Sequence, residues 1–557
     1  MPKRALSRHR AAAVSPAAPA EQGERRNLSP RQHQILEMLR AGKVNKEIAN
    51  ELGIGLGTVK QHVVALFKKL DVSNRTMAVS RGMQMQPGPR VENVPALASE
   101  GLLEYRPCVV LSVALPESLP EELGRRMQQV LAAYAFDHSA LFLARKGHAG
   151  DLIFGIQRAS EQDVYLALRA ARTVVGELPS ENGQTGALRG GLTAGLAIAS
   201  MHRTGGWSGE AIASIAIAQG RELANSASPG LLVIAPAARE LLRVLNPNSL
   251  AAVPEALHFA SIENLPWQPG IEEPLPLGRD AELRRIDELL VQTRAGNGGV
   301  LQIAGETGMG KSRLCRYAAA LGADTGGRVH HFVCRPDGDR TSPYVSTSGK
   351  VVPASAVFEC LAGAAAGSPE VVVVDDCHFL APEELARLWQ QSVAATRKLV
   401  LLAARRFAAS DARPAQIMRL GRLERESVEQ ITAAALGRTR TPAKTAAIVR
   451  RAAGGPLFAI ELARQRKPGM LPLSLRILIG ARLDGIKLDR AVLRKIARAR
   501  AAWDVARLAR EMIEPLAVVQ AAVAHAIAAG VLGQDAGGKL RFAHPLVRQA
   551  IDLAGVE

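Results

Sequence analysis

Cysteine is scarce in this 557-residue chain. Cys108, Cys315, Cys334, Cys360 and Cys377 are scattered, and none forms a Cys-x-x-Cys pair. That spacing excludes a disulfide framework and a zinc site, and it fits buried thiols in a reducing cytoplasm. Long apolar runs are missing as well. None approaches the ~18 residues that span a bilayer, so no membrane partner is expected and the expected location is cytoplasmic. The start carries Lys3, Arg4, Arg8 and Arg10 and then alanine and proline, without an apolar segment. This excludes a secretory signal, and residues 1–26 read as a disordered basic tail. Acid is also short at that end. Residues 1–90 hold 16 Lys and Arg against 6 Asp and Glu, within a chain of net charge +18. A basic end of this kind suits a polyanionic partner.

What is present is a phosphate-binding signature. Gly305-Glu-Thr-Gly308-Met-Gly310-Lys311-Ser312 follows an apolar run at 300–304 and precedes helical spacing at 314–321. Glycines at 305, 308 and 310 let the backbone curl so that its N–H groups converge on phosphate oxygens, and the helix N-terminus adds favourable field. Lys311 would reach the outer phosphates and Ser312 would hold Mg²⁺. The partner motif is Val371-Val-Val-Val-Asp375-Asp376, an apolar strand ending in acids. Asp375 would hold the metal shell, and Asp376 would orient or activate the attacking water. Together these motifs call for ATP and Mg²⁺. At this length the chain should divide into about three to five domains.

The basic end has its own pattern. Ser29, Pro30 and Gln32 make a helix start, Ile35, Leu36 and Leu39 an apolar face, and Gly42 a stop. Asn45 opens a short helix with Ile48, Ala49 and Leu52 inward. The turn Gly53-Ile54-Gly55 leads to a third helix over 56–70. Val59, Val63, Leu66 and Leu70 face inward there, while Lys60, Gln61, Val64 and Lys68 form one outward stripe suited to a major groove. Residues 27–82 resemble the LuxR-type helix-turn-helix, through Leu28-Ser-Pro-Arg-Gln, Asn45-Lys-Glu-Ile-Ala, Thr58-Val-Lys-Gln-His62 and Asn74-Arg-Thr-Met-Ala-Val79. The resemblance implies double-stranded DNA as partner, base contacts from Lys60, Gln61 and Val64, and phosphate contacts from around Thr58 and Lys68. Gly55 departs from the family, which usually caps its recognition helix with serine.

After a linker at 83–104, residues 105–250 alternate strands and helices. Strands are expected at 109–115, 192–199 and 231–235, and a hairpin at 140–143 and 151–155. Helices are expected at 121–134, 164–175, 210–225 and 236–245. This order resembles the class III nucleotidyl cyclase, a ferredoxin-like α/β fold, through Gly150-Asp151, Leu188-Arg-Gly-Gly-Leu-Thr-Ala-Gly195 and Ala227-Ser-Pro-Gly230; an unrelated α/β domain is the alternative. The family chemistry needs two acids for two metals, and an Asn and an Arg at the transition state. Asp151 matches the second acid. The first, near Val113, is absent, and Ala213 and Ile217 stand at the Asn and Arg positions. The resemblance therefore implies a catalytically dead domain used for dimerisation or ligand sensing.

A second linker is expected at 251–276. Residues 277–552 resemble the AAA/STAND signalling ATPases through Gly278-Arg279, the two phosphate motifs, Gly454-Gly-Pro and Phe542-Ala-His544-Pro. That resemblance implies an α/β P-loop NTPase with a helical lid over 277–468 and a winged-helix-like C-terminal arm over 469–557. It implies nucleotide contacts from Arg279, Arg405 and His544. It also leaves the inducer site open, since the family commonly continues into helical repeats that this chain lacks. The whole reads as a transcription regulator with a weak regulatory ATPase, assembling as an ATP-dependent homo-oligomer, with RNA polymerase as a candidate partner. The alternatives are an active class III adenylyl or guanylyl cyclase under ATPase control and a AAA-type motor.

Overall fold

Apolar residues spaced three and four apart, broken by glycine, produce three short helices at the basic end. They are α1 (Pro30–Arg40), α2 (Asn45–Leu52) and α3 (Leu56–Leu70). The computed structural model describes residues 30–40, 45–52, 54–70, 101–178, 186–210, 212–245, 253–264, 276–334, 344–346, 351–363, 370–380, 382–395, 397–404, 417–465, 470–499 and 501–556. Ser29, Gly42, Gly53, Asn74, the 1–26 tail and Arg405 lie outside the described residues. The chain divides into two compact units, residues 1–93 and 94–557.

In the first unit Ile35, Leu36 and Leu39 of α1, Ile48 and Ala49 of α2, and Val59, Val63 and Leu66 of α3 are buried together. Arg31 Nη2 donates to the Leu52 carbonyl at 3.0 Å, which ties α1 to the end of α2. The Val59 amide donates to the Gly55 carbonyl, so Gly55 holds the cap position of α3 without a side chain to complete it.

The second unit begins with a six-stranded sheet. Its strands are β1 (Leu102–Ala114), β2 (Leu141–Arg145), β3 (Ala149–Phe154), β4 (Arg189–Met201), β5 (Leu231–Ile234) and β6 (Ala256–His258), in the order β2-β3-β1-β4-β5-β6. β1 is central because its side chains alternate between two cores. Val109, Leu111 and Val113 join α4 (Glu121–Asp137), α5 (Asp163–Glu177) and α7 (Pro236–Leu245) on one face. Cys108 and Val110 join α6 (Ile215–Ser226) on the other. Three boundaries differ from the sequence reading. The linker placed at 83–104 ends inside β1, and the linker placed at 251–276 contains β6, which pairs antiparallel with β5. The helix expected from 210 starts at Ile215, because Ala213 bridges Ile198 and the Ser214 hydroxyl caps the helix by accepting from the Ala216 amide.

The next layer is a seven-stranded sheet made of β7 (Gly299–Ala304), β8 (Arg328–Cys334), β9 (Tyr344–Ser346), β10 (Val351–Val352), β11 (Glu370–Asp375), β12 (Lys398–Ala404) and β13 (Ile417–Arg419). Five strands run parallel in the order β8-β11-β12-β7-β13, and the β9–β10 hairpin continues from β8. The unbroken valine run of β11 follows from burial on both faces. Val371 and Val373 meet α8 (Asp280–Arg294) and α9 (Lys311–Asp324), while Val372 and Val374 meet α10 (Ala354–Ala362) and α11 (Pro382–Ala394).

The helices α12 (Arg425–Leu436), α13 (Pro442–Ala452) and α14 (Pro456–Arg464) precede α15 (Leu473–Ile486). Then come α16 (Arg490–Arg498), α17 (Val505–Met512), α18 (Leu516–Ala528), the hairpin β14 (Leu532–Gln534) and β15 (Leu540–Phe542), and α19 (Pro545–Ala554). One apolar cluster runs from Leu423 to Ile551, so no packing break falls at the 468/469 division. α15 is largely apolar, with Arg476, Arg482 and Asp484 as its charges, because it packs against two cores. Its Ile477 enters the core of the first sheet, while Leu475, Leu478 and Ile479 enter the lid and arm core.

The end of α15 carries a buried carboxylate. Asp484 accepts from Arg106 of β1 at 2.5 and 3.2 Å, from the Ala159 amide at 2.7 Å, and from Arg490 of α16. Burial pushes its pKa up, but Arg106 and Arg490 outweigh that and hold it below the ordinary carboxylate value. Asp484→Ala would take from the buried Arg106 its paired carboxylate and leave Arg490 to share Glu104 with Arg494. It should cost about 3–5 kcal/mol in urea unfolding. Since the folded pKa is depressed, Asp484 stabilises fully above its unfolded pKa and loses that effect as pH falls through the folded value. The cost should therefore be constant from about pH 5 upward.

Candidate nucleotide site and recognition helix

β7 ends at Ala304 and α9 begins at Lys311, so the glycine loop joins a buried strand to a helix N-terminus. Gly308 and Gly310 have φ of +83° and +98°, the left-handed region that glycine enters without strain. Gly305 has no room for a side chain to spare, since a Cβ there would lie 3.1 Å from Leu420 Cβ. Lys311 is buried, and its ammonium donates to the carbonyls of Gly305 at 2.9 Å and Glu306 at 3.2 Å. Burial lowers its pKa, while the charges of Asp376 and Asp375 oppose the shift.

Asp375 closes β11. Its Oδ1 accepts from the Asp376 amide at 2.8 Å, and its Oδ2 is buried without a hydrogen-bond partner. A buried, unsatisfied carboxylate oxygen is costly unless a cation or water completes it. Ser312 sits half-buried on the first turn of α9, next to Lys311. This donor set fits a hydrated Mg²⁺ that takes its remaining ligands from phosphates. Asp376 adopts φ +56°, a strained conformation for a non-glycine residue. His378 Nδ1 lies 3.9 Å from Asp376 Oδ1, and burial together with the Lys311 charge pushes the His378 pKa down to about 4. The imidazole is therefore neutral at pH 7. β12 separates β7 from β11, yet the loops leaving them converge on Lys311, Asp375 and Asp376.

Three outside elements reach this loop. The Leu457 amide at the start of α14 donates to the Gly308 carbonyl at 3.4 Å, which brings the Gly454-Gly455-Pro456 turn onto it. Arg482 of α15 pairs with Glu306 at 2.7 Å, and Thr307 Oγ1 lies 3.4 Å from Glu161 Oε1 of the first sheet's domain. A cavity of about 370 Å³ opens beside the loop, lined by Glu306, Met309, Leu420, Arg422, Arg482 and Gly530. Its volume lies in the range of small-ligand sites. Sequence reasoning missed Glu161, Arg422 and Arg482. The available signal for Arg482 was its place among three charges, with Arg476 and Asp484, on a largely apolar helix.

Two expected nucleotide contacts are otherwise engaged. Arg279 is buried, with its guanidinium on Glu282 at 3.0 Å and on the carbonyls of Met309 at 3.1 Å and Gly421 at 2.7 Å. It braces the loop from the chain rather than offering a free charge. His544 caps α19, with Nδ1 accepting from the Leu546 amide at 3.1 Å and Nε2 against the Ala452 carbonyl at 3.2 Å. Both ring nitrogens are thus satisfied by backbone. In this arrangement His544 joins the arm to the lid, at the position from which a phosphate contact is expected.

On α3, Thr58, Gln61 and Val64 are exposed, Val64 at 68 %. α3 also carries Lys60 and Lys68, whose side chains lie outside the described residues. In the first sheet Asp151 is fully buried. Its Oδ2 accepts from Arg221 Nε at 2.8 Å, and Arg145 lies 3.7 Å from its Oδ1. The residue across from it on β1 is Ser112, not an acid.

Residues 26–81 match the family model for bacterial regulatory proteins of the luxR family, and residues 275–449 match that for the AAA ATPase domain. The chain therefore carries a LuxR-family helix-turn-helix and an AAA ATPase domain. It is 53% identical over 53 residues to the CsgBAC operon transcriptional regulatory protein of Escherichia coli, which is 10% of this chain and 24% of that one. The chain spans about a quarter of the length of the curated relatives it matches at this level. Among solved structures, Thermotoga maritima RuvB is 16% identical with a TM-score of 0.28, over 47% of this chain and 92% of that one. The guanylyl cyclase domain of a fusion protein from Blastocladiella emersonii is 14% identical with a TM-score of 0.22, over 27% and 91%. No helix among the described residues is long and apolar enough to cross a membrane.

His544→Ala should remove a helix cap and cost about 1 kcal/mol at pH 8 while leaving ATP affinity unchanged. Burial pushes the His544 pKa down to about 4. Stability from the neutral ring is complete above the unfolded pKa of about 6.5 and falls as the unfolded state takes up its proton. The gap between wild type and variant should therefore narrow from pH 6.5 toward pH 4 in urea titrations. A large loss of ATP affinity would restore the phosphate contact.

Proposed function

We propose that this chain is a DNA-binding transcriptional regulator switched by ATP binding and reset by slow hydrolysis. The observation that carries the reading is the junction at the phosphate loop. Glu306 meets the arm through Arg482, and Thr307 meets the first sheet's domain through Glu161. The Arg482–Glu306 pair is partly exposed and is worth little energy on its own, under about 1 kcal/mol. Its importance is position, because a phosphate group entering the loop carries negative charge toward two carboxylates. Binding that prefers an arrangement with Glu161 withdrawn shifts the population toward that arrangement. In this reading Lys311 holds the outer phosphates, Ser312 and Asp375 hold Mg²⁺, and Asp376 orients the water. Mg²⁺ supplies charge neutralisation on the phosphates. Association of chains would then gather DNA-reading helices, and linked heads gain avidity without new contacts.

The same reading treats the first sheet's domain as catalytically dead. Arg221 and Arg145 supply positive charge at Asp151, and Ser112 stands where a second acid would be needed. A lone carboxylate already neutralised by guanidinium cannot hold a metal pair. An active cyclase is therefore the weaker reading, and a sensing or assembly role is proposed instead.

Gln61→Ala should lose about 1–3 kcal/mol of discrimination at one operator position, with fold and ATP binding intact, as read by footprinting against mismatched sites. Lys311→Ala should abolish ATP binding and remain a low-order species with weak operator occupancy. Asp376→Asn should keep ATP, hydrolyse it poorly and accumulate as an assembled, hyperactive form. Sedimentation and a reporter assay read both. Equal reporter activity in the two variants would remove the switch.

A further inference from the structure

A cleft lies where β1 meets the arm, walled by Pro107, Ile479, Leu483, Leu493, Ile551 and Arg476. Its volume is about 50 Å³, room for a few water-sized groups at the ~10–15 Å³ that each needs, and far below the ~300 Å³ at which drug-sized sites begin. The walls are mainly apolar, yet four guanidiniums line it, those of Arg106, Arg476, Arg490 and Arg494. Two carboxylates answer three of them. Glu104 pairs with Arg490 at 2.7 Å and Arg494 at 3.2 Å, and Asp484 pairs with Arg106 and Arg490. Arg476 is the fourth. Its Nε donates to the Leu471 carbonyl at 3.4 Å, and among the described residues no carboxylate pairs with it. Burial lowers the pKa of Arg476 and, despite Glu104, that of Arg494. A second group points the same way. Arg106 is 2 % exposed, and its Nε has no hydrogen-bond partner. The buried Arg106 Nε calls for an acceptor, and the half-buried Arg476, without a carboxylate, leaves a surplus of guanidinium that calls for an anion.

We propose that this cleft is an effector site for a short aliphatic monocarboxylate. Its carboxylate is taken by Arg476, and its hydrocarbon by Ile479, Leu483 and Leu493. The size of the cleft excludes a nucleotide and a long acyl chain. Its position couples it to the phosphate loop, because α15 carries both Arg476 and, six residues on, Arg482, which pairs with Glu306. A ligand that favours one seating of α15 against β1 thereby favours one arrangement of the loop. This coupling rests on the ATP-switch reading above, whereas binding itself does not.

The test is calorimetric titration of the full, nucleotide-free chain with butyrate, with neutral butyramide and inorganic phosphate as comparison probes. Saturable binding of butyrate at one site is expected, with butyramide silent and phosphate weaker. Arg476→Met keeps an apolar stem, and Leu483→Phe fills the cleft without touching a charge. Each should weaken butyrate by at least about tenfold while ATP binding and thermal unfolding stay as in the wild type. Absence of butyrate binding, equal binding of butyramide, tighter binding of phosphate, or unchanged affinity in both variants would each overturn the site. Lys311→Ala should bind butyrate as the wild type does. If butyrate binds as expected but leaves ATP affinity of the wild type unchanged, the coupling falls and the site stands.

Discussion

The buried carboxylate of Asp484 is the point on which the larger unit depends. A charge taken from water costs several kcal/mol unless it is paired and hydrogen-bonded. Asp484 meets that condition with two guanidiniums and one amide, and each comes from a different segment: Arg106 from β1, Arg490 from α16, and Ala159 from the loop before α5. Neither guanidinium can leave without stranding charge, and loss of the Ala159 amide would remove a buried hydrogen bond. Apolar burial follows from this constraint, since Ile477, two turns earlier on α15, enters the first sheet's core. Nearby contacts reinforce the joint. Arg203 holds Asp489 at 2.6 Å and Glu514 at 2.5 Å, and Gly555 bridges Glu104 beside the start of β1.

Because of that joint, the residues flanking Asp484 acquire fixed targets. Arg482 lies two residues before it and meets the phosphate loop. Ala159, held by Asp484, lies two residues before Glu161, which meets the same loop from the other side. The loop thus stands between two arms of one clamp. Energetically the outer contacts are weak, as exposed pairs are, and the inner one is strong. In the proposed switch, this division would let the rim open while the pivot stays closed.

Asp151 illustrates the same electrostatic rule with the opposite result. Its carboxylate is as buried as Asp484, and it too is answered by two arginines, Arg221 and Arg145. Here the neutralising groups occupy positions around an acid that could otherwise take a metal. Arg221 is one turn of α6 beyond Ile217, where the family arginine was expected, so a cation is present but committed to the carboxylate.

The chain by itself determined the elements whose signals are local. The three helices of the basic end, the turn from β7 through Gly310 into α9, and the valine strand ending in Asp375 each arise from consecutive residues and their periodicity. Where a boundary was misplaced, a distant partner was responsible. β6 is three residues long and exists because β5 offers an edge, and the start of α6 is delayed because Ala213 pairs with Ile198. The tertiary structure alone decided how charged side chains far apart in the chain pair. Arg106 and Asp484 are 378 residues apart, and Thr307 and Glu161 are 146 apart. No period or motif spans such separations. His544 was legible as a distinctive residue in its motif, but which groups its two nitrogens meet depends on α13 and α19 packing together. Local backbone preference and apolar spacing are written in sequence. The pairing of buried charges is a property of the folded surface that surrounds them.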